Sequence, residues 1–294
     1  MTVREALSLG SSQFPQTPED NPRLEAGVLL AFCLGLSREK LLACPGRELS
    51  PGEERAYRAL AARRARGVPS AYLTGRREFY GREFYVDPRV LIPRPDTETL
   101  VEAALEIINR PGGRGAETSV VDICTGSGCI PLTLAWEVPG LKSAAADISP
   151  AAACVFALNR RLLRRPETAF YLSDLLNGVP GRWDLITANP PYLSPAEIEE
   201  KRRREGGPWG SAAAADWEEP ELALNGGEGG LKILRRVIAQ SPARLNPGGW
   251  LVMEGAPGQM NFLRKAMAEE GFLGVECVPD LAGRERVIRG YYGK

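Results

Sequence analysis

Between Thr118 and Ile288 short apolar runs of strand length alternate with longer stretches of helical periodicity. The strand-like runs are Thr118–Ile123, Ser143–Asp147, Ala169–Leu172, Trp183–Ala188, Trp250–Met253, Phe272–Val278 and Arg286–Ile288. Pro150 opens the helical stretch after the second, at the first helical position, where its missing N–H costs nothing. Residues 229–243 are also expected to be helical. Such β-α alternation predicts a doubly wound parallel sheet covered by helices, because parallel strands need helical crossovers to return to the same edge.

Upstream the pattern differs. Residues 1–75 carry no strand signal. Asn21-Pro22 starts a helix in which Leu24, Val28, Leu29 and Phe32 recur at helical spacing, and a second helical stretch runs from Pro51 to Arg66 through Tyr57, Leu60 and Ala61. A Glu-Phe-Tyr unit then repeats on both sides of Gly81, the signature of a hairpin. The expected organisation is a helical domain over 1–75, a β-hairpin linker over 76–90 and a catalytic domain over 91–294.

Composition narrows the chemistry. Lys plus Arg and Asp plus Glu each number 37, so net charge is zero, which argues against nucleic acid as a partner. No apolar run approaches membrane-spanning length, and the N-terminus shows no signal-peptide core. The six cysteines form no Cys-x-x-Cys pair and are expected to be reduced, core-packing thiols of a cytoplasmic protein. There is no histidine, which removes Ser–His and Cys–His hydrolysis; no metal site is expected. Catalysis must then rest on carboxylates, amides, backbone groups or a reactive cofactor.

Two segments fit that demand. Asp122-Ile123-Cys124-Thr125-Gly126-Ser127-Gly128 sits where the first strand turns into a helix, and its small residues let a ligand approach the backbone. A dinucleotide fingerprint would need Gly three residues after Gly128, where Pro131 stands. Asp147 ends the second strand, where a carboxylate can take both hydroxyls of a ribose. Acidic strand ends suit S-adenosylmethionine (SAM), whose reactive end carries an ammonium and a sulfonium. A plain tight turn, with Asp147 beside a helix cap, is the alternative. The second segment, Asn189-Pro190-Pro191-Tyr192, follows the strand Trp183–Ala188 at its carboxyl end. Its prolines remove two donors. The Pro190 carbonyl and the Asn189 side-chain oxygen remain as paired acceptors for an NH₂ group, and Tyr192 offers a ring face to a planar group. Taken alone, Asn-Pro-Pro is also an ordinary turn.

Together the two segments resemble the class I SAM-dependent methyltransferases that act on planar nitrogens. Further segments resemble the bacterial release factor glutamine methyltransferases: residues 21–31, 63–75, 219–227, 254–259 and 284–290, and Ile92-Pro93-Arg94-Pro95-Asp96-Thr97-Glu98. The resemblance covers nearly the whole chain. It implies a Rossmann-like, mostly parallel seven-stranded sheet with a small N-terminal helical domain that helps bind the protein substrate. It also implies that Asp122 and Cys124 to Gly128 line the SAM site, that Asp147 holds the ribose, and that Asp174 and Leu175 lie by the adenine. Asn189, which would also touch the cofactor, and the Pro190 carbonyl would hold a glutamine amide and form the catalytic set with Tyr192, with Pro191, Arg94, Pro95 and Thr97 around it. The implied acceptor is the glutamine of the Gly-Gly-Gln motif in class I release factors, met by a monomer. A ribosomal-protein glutamine, a nucleic-acid adenine and a SAM-binding protein without turnover are the alternatives.

Three departures stand out. Cys124 replaces a usual Gly, Asp96 a usual Glu, and the stretch from Tyr192 to Glu219 is longer than usual and includes Lys201–Arg204. That basic run and the arginines of 160–165 are expected on solvated helix surfaces. For Glu254 both a structural and an active-site role stay open.

Overall fold

The computed structural model describes residues 1–14, 21–110, 113–205 and 219–293. The chain forms two compact units, one of Met1–Arg76 with the segment that starts at Glu199, the other of Arg77–Ile198 with Glu219–Lys294.

The first unit is helical: α1 (Val3–Gln13), α2 (Pro22–Leu34), α3 (Arg38–Ala43), α4 (Pro51–Ala65) and α5 (Ser70–Thr74). Its helix starts are written in the sequence. Thr2 with Glu5 and Ser50 with Glu53 form capping boxes, and the Asn21 side chain accepts from the Leu24 N–H. Each such cap contributes about 1 kcal/mol. The buried face of α2 differs from the expected one. Leu29 and Leu30 are fully buried, whereas Leu24 and Phe32 are exposed. Phe32 instead lies beneath the Arg76 guanidinium, at 6.0 Å. The face is chosen by α1 and α4, which α2 packs against at close range. A Cβ on Gly10 of α1 would fall 2.8 Å from the Ala26 Cβ and overlap the Tyr57 hydroxyl. That hydroxyl donates to the Ala6 carbonyl at 2.9 Å inside the core.

The second unit opens on the expected hairpin, β1 (Arg76–Phe79) and β2 (Arg82–Tyr85), turned at Tyr80-Gly81 with both residues left-handed (φ 51° and 72°). Positive φ at both central residues matches the twist of a two-residue turn. Phe79 and Phe84 meet edge-on at 6.1 Å in the core. Helix α6 (Glu98–Asn109) follows, then β3 (Ser119–Ile123), α7 (Cys129–Glu137), β4 (Lys142–Asp147), α8 (Pro150–Leu162), β5 (Ala169–Leu172), β6 (Trp183–Ala188), β7 (Leu245–Glu254), β8 (Phe272–Pro279) and β9 (Glu285–Tyr292).

The seven strands run in the order β5-β4-β3-β6-β7-β9-β8. β3 to β7 pair in parallel, and β9 runs antiparallel to both of its neighbours. Side-chain alternation splits the core. Val121, Ile123, Ile186 and Met253 pack with Leu234, Val237 and Leu263, while Val120, Leu185 and Val252 pack with Leu100, Ala104 and Leu132. A sheet buried on both faces explains why its strands read as continuous apolar runs.

Basic surface features are less uniform than expected. Arg161 and Arg164 are exposed, but Arg160 donates to the Thr168 carbonyl at 3.1 Å and Arg165 covers the Trp136 ring at 4.5 Å. Lys201 and Arg202 are half-buried on the helix Pro195–Glu205, and the rest of the long stretch, 206–218, lies outside the described residues. All six cysteines are free; Cys129 is buried, whereas Cys44 and Cys154 are exposed rather than packed.

Candidate functional site

Strand register builds the site. Ala146 pairs with Ile123, Ile123 with Ala188, and Ala188 with Met253. The next residue on each strand therefore falls in one row along the carboxyl edge of the sheet: Asp147, Cys124, Asn189 and Glu254. The strand order reverses between β3 and β6, and ligands of open α/β sheets bind outside the strand ends at that crevice.

The β3–α7 loop carries the first half. Cys124, Gly126 and Gly128 all have positive φ (57°, 53° and 82°). Gly is the unstrained choice there, so Cys124 carries a left-handed backbone that costs about 1–2 kcal/mol. Burial pushes its thiol well up, with Asp147, Asp122 and Asp174 adding to the shift, so it is neutral and not a nucleophile. A Cβ on Gly128 would collide with the Phe156 ring at 2.5 Å, whereas one on Gly126 would meet open space. Thr125 and Ser127 are buried behind the loop.

Asp147 receives the Gly126 N–H on one oxygen and the Ser149 N–H on the other, both at 2.9 Å. A carboxylate accepts about four hydrogen bonds, so each oxygen keeps capacity for one hydroxyl. Burial raises the Asp147 pKa, and the Ser149 and Gly126 amides oppose the shift. Asp122 is fully buried; its Oδ1 accepts from the Thr187 hydroxyl at 2.7 Å, and its Oδ2 has no partner among the described residues. Burial pushes its carboxyl up to about 7. An unpaired acidic oxygen, an open glycine and a carboxylate with two spare acceptor positions fit a cofactor with a cationic end and a ribose. Asp174 is tied to Arg236 at 2.6 Å, while Leu175 is buried in the core at φ 55°.

Asn189 to Tyr192 form the second half. Asn189 donates from Nδ2 to the Thr97 hydroxyl oxygen at 3.1 Å. Thr97 donates to Glu254 Oε2 at 2.7 Å, and Tyr192 donates to Glu254 Oε1 at 3.1 Å. With its nitrogen engaged, Asn189 keeps a side-chain oxygen that takes no hydrogen bond from the described residues, and the same holds for the carbonyl of Pro190, the next residue. Thr97 is buried behind Asn189 and reaches it through this bond. Burial raises the Glu254 pKa, and the Thr97 hydroxyl, Arg286 and Tyr192 oppose it. Burial also pushes the Tyr192 phenol up, so it remains a donor.

Glu254 is the residue whose role the sequence left open. Its sequence signals are its place at the carboxyl end of β7 and at the head of the segment 254–259. The segments 219–227 and 254–259 also acquire a place. Gly226 N–H donates to the Leu193 carbonyl at 2.8 Å, and Gln259 Nε2 donates to the Tyr192 carbonyl at 2.8 Å. A Cβ on Gly226 would lie 2.7 Å from the Pro191 carbonyl oxygen, and one on Gly230 would overlap the Tyr192 carbonyl. These glycines brace the tetrapeptide from behind. Arg94 pairs with Glu219 at 2.5 Å, and Asp96 pairs with Arg286 at 3.0 Å; Pro95 is exposed at the start of the turn that delivers Thr97. Among the described residues no cluster of His, Cys, Asp or Glu could hold a metal ion.

Known proteins resemble this chain in sequence and in fold. The PrmC N-terminal domain family matches residues 5–75, and the methyltransferase small domain family matches residues 101–203. A 16S rRNA methyltransferase from T. thermophilus, solved in complex with AdoMet and guanosine, superimposes with a TM-score of 0.51 at 18% identity, over 74% of this chain and 49% of that one; it shares the fold. The release factor glutamine methyltransferase of Koribacter versatilis is 39% identical over 99% of this chain and 98% of its own length. That of Neisseria gonorrhoeae is 38% identical over 93% and 94%. Identity at this level, sustained across the helical unit and the sheet unit alike, makes the chain a member of the release factor glutamine methyltransferase family.

Proposed function

We propose that this chain transfers the methyl group of S-adenosyl-L-methionine to the side-chain amide nitrogen (N5) of the glutamine in the Gly-Gly-Gln motif of class I peptide chain release factors, leaving S-adenosyl-L-homocysteine. The observation that carries the reading is the Asn189 side chain, tied through its nitrogen to Thr97 with its oxygen left over, next in the chain to Pro190 and in one row with Asp147 at the carboxyl edge of the sheet. Two acceptors side by side match the two N–H bonds of a primary amide.

The cofactor, when bound, supplies a methyl group on a positively charged sulfur. Asp147 would hold its ribose, and the loop from Cys124 to Gly128 with Asp122 would hold its amino-acid end. Asp174 and Leu175, after β5, would flank the adenine. The amide nitrogen is a poor nucleophile because its lone pair is delocalised into the carbonyl. The chain's contribution is therefore orientation and electrostatics. Asn189 Oδ1 and the Pro190 oxygen each accept one N–H of the amide. They fix the nitrogen's direction and stabilise the positive charge that develops on it as the C–N bond forms. One of these two protons then leaves to solvent, and the N-methyl amide is released. The Tyr192 ring packs on the planar amide, with Pro191, Arg94 and Pro95 framing the entry.

Replacement of Asp147 by Ala is expected to weaken SAM binding by roughly tenfold to a hundredfold, since hydrogen bonds to a charged acceptor are worth ~1.5–3 kcal/mol. Calorimetry is the check; unchanged affinity would remove Asp147 from the cofactor site.

The helical unit would recognise the body of the release factor. Its support is a separate core around Tyr57, Leu29 and Leu30. Removing residues 1–75 is expected to spare SAM affinity and abolish methylation of a whole release factor. Methylation at the wild-type rate would contradict that role. The working form would be a monomer in the cytoplasm. The free thiols suit a reducing compartment. Zero net charge argues against a nucleic-acid substrate. No helix among the described residues is long and apolar enough to cross a membrane.

Labelled SAM offered with a release factor, a ribosomal protein and an oligonucleotide as separate acceptors tests the assignment. Label is expected in the release factor; preferential label in either of the others would replace it.

A further inference from the structure

We propose that Thr97 and Glu254 are positioning residues that set the polarity of the Asn189 amide, so that its oxygen rather than its nitrogen meets the target N–H. The proposal rests on the methyl-transfer reading above. The two ends of an Asn amide are nearly the same size, so shape alone does not choose between them. The wrong end would turn an NH₂ group toward the NH₂ group of the substrate.

The choice comes from counting hydrogens. A hydroxyl carries one. Thr97 donates its hydrogen to Glu254 Oε2 at 2.7 Å, because an ionised carboxylate only accepts. The Thr97 oxygen then presents lone pairs alone to Asn189, and only Nδ2 can fill them, at 3.1 Å. Tyr192 commits its own hydrogen to Glu254 Oε1, so both carboxylate oxygens work as acceptors. Arg286, which also pairs with Asp96 at 3.0 Å, opposes the rise that burial gives the Glu254 carboxyl, and the direction of donation is that of the ionised form. Donation thus runs from Asn189 Nδ2 to Thr97 and from Thr97 to Glu254, which leaves Oδ1 as the unengaged end of the Asn189 amide. Glu254 is also adjacent to Asn189 by register, because Ala188 pairs with Met253. The plainer reading is that Glu254 is a buried acid satisfied by two hydroxyls and contributes to stability only.

A double-mutant cycle separates the two. Thr97→Val keeps the shape and removes the hydroxyl. It is expected to lower kcat roughly tenfold, as loss of one buried hydrogen bond would, with KM for the release factor and SAM affinity essentially unchanged. Thr97→Ser should restore most of kcat. Glu254→Gln, whose amide can donate toward Thr97 and reverse the chain, should fall like Thr97→Val; it carries the same cycle if the valine variant does not fold. In an Asn189→Ala background neither change should lower kcat further, because the amide they orient is gone. The proposal is overturned if Thr97→Val turns over like the wild type, or if it costs the same factor with and without the Asn189 side chain. Full activity of Asn189→Ala by itself is a different result: it would overturn the methyl-transfer reading instead.

Discussion

Asn189→Ala is expected to lower single-turnover methyl transfer to a release factor by roughly 10²–10³, the effect of deleting one preorganised polar group aimed at developing charge. Its side-chain oxygen would accept one of the two N–H bonds of the target amide. Without it one donor is left unpaired in a closed site, and the amide is free to rotate about its remaining bond to the Pro190 carbonyl. SAM affinity should barely change, because the contact is with the acceptor. Asn189→Asp keeps an oxygen toward the substrate but replaces the nitrogen that donates to Thr97. It should retain more activity than Ala. Single-turnover rates measured alongside calorimetry are the check. Wild-type turnover in the alanine variant, or a loss confined to cofactor affinity, would make Asn189 to Tyr192 a structural turn.

Gly230→Ala, far from the proposed methyl path in sequence, is expected to lower kcat by about 10², the cost of an ~1 Å misplacement of catalytic groups. Gly230 has φ of 70°, and a Cβ there would overlap the Tyr192 carbonyl and lie 2.7 Å from Gln259 Nε2. Gln259 itself holds that carbonyl at 2.8 Å. The new methyl group has backbone on one side and the bracing amide on the other, so the tetrapeptide must move. The left-handed conformation adds about 1–2 kcal/mol of strain and overpacking about 1–3 kcal/mol more. Thermal unfolding should show the destabilisation, and SAM affinity should change less than kcat. A variant with wild-type kcat would mean that Pro191 and Tyr192 are not held in place by this brace.

The parts of the fold visible in the sequence are those with local causes. β3, β5 and β6 are apolar runs bounded by turn residues, and helix starts such as Asn21-Pro22 carry their own caps. The strands that outran expectation are set by partners. β7 begins at Leu245, where Asn246-Pro247-Gly248-Gly249 reads as a turn, because Leu245 pairs with Trp183 across an irregular register. β9 extends over Glu285–Tyr292, well beyond Arg286–Ile288, since it lies between β7 and β8 and its Arg289 is ion-paired with Glu106 and Glu276. Charges that look like strand breakers in one dimension are neutralised in three.

The candidate site divides the same way. Gly126, Asp147 and Asn189 announce themselves by residue type at strand ends. The polarity of Asn189 does not, because it depends on Thr97 and Glu254, which are distant in sequence and meet only through the order of β6 and β7. Cys124 shows the converse. Its φ of 57° explains why Gly is the expected residue there, a reason that only the backbone reveals.

Locating the transferred methyl group is the decisive measurement. A release factor incubated with this protein and SAM would be digested, and the fragment mass spectrum of the peptide holding Gly-Gly-Gln read residue by residue. The expected result is the gain of one methyl group on the side-chain nitrogen of that glutamine, lost when the glutamine is replaced. A methyl group on any other residue, or an unmodified peptide after full incubation with active cofactor, would contradict it.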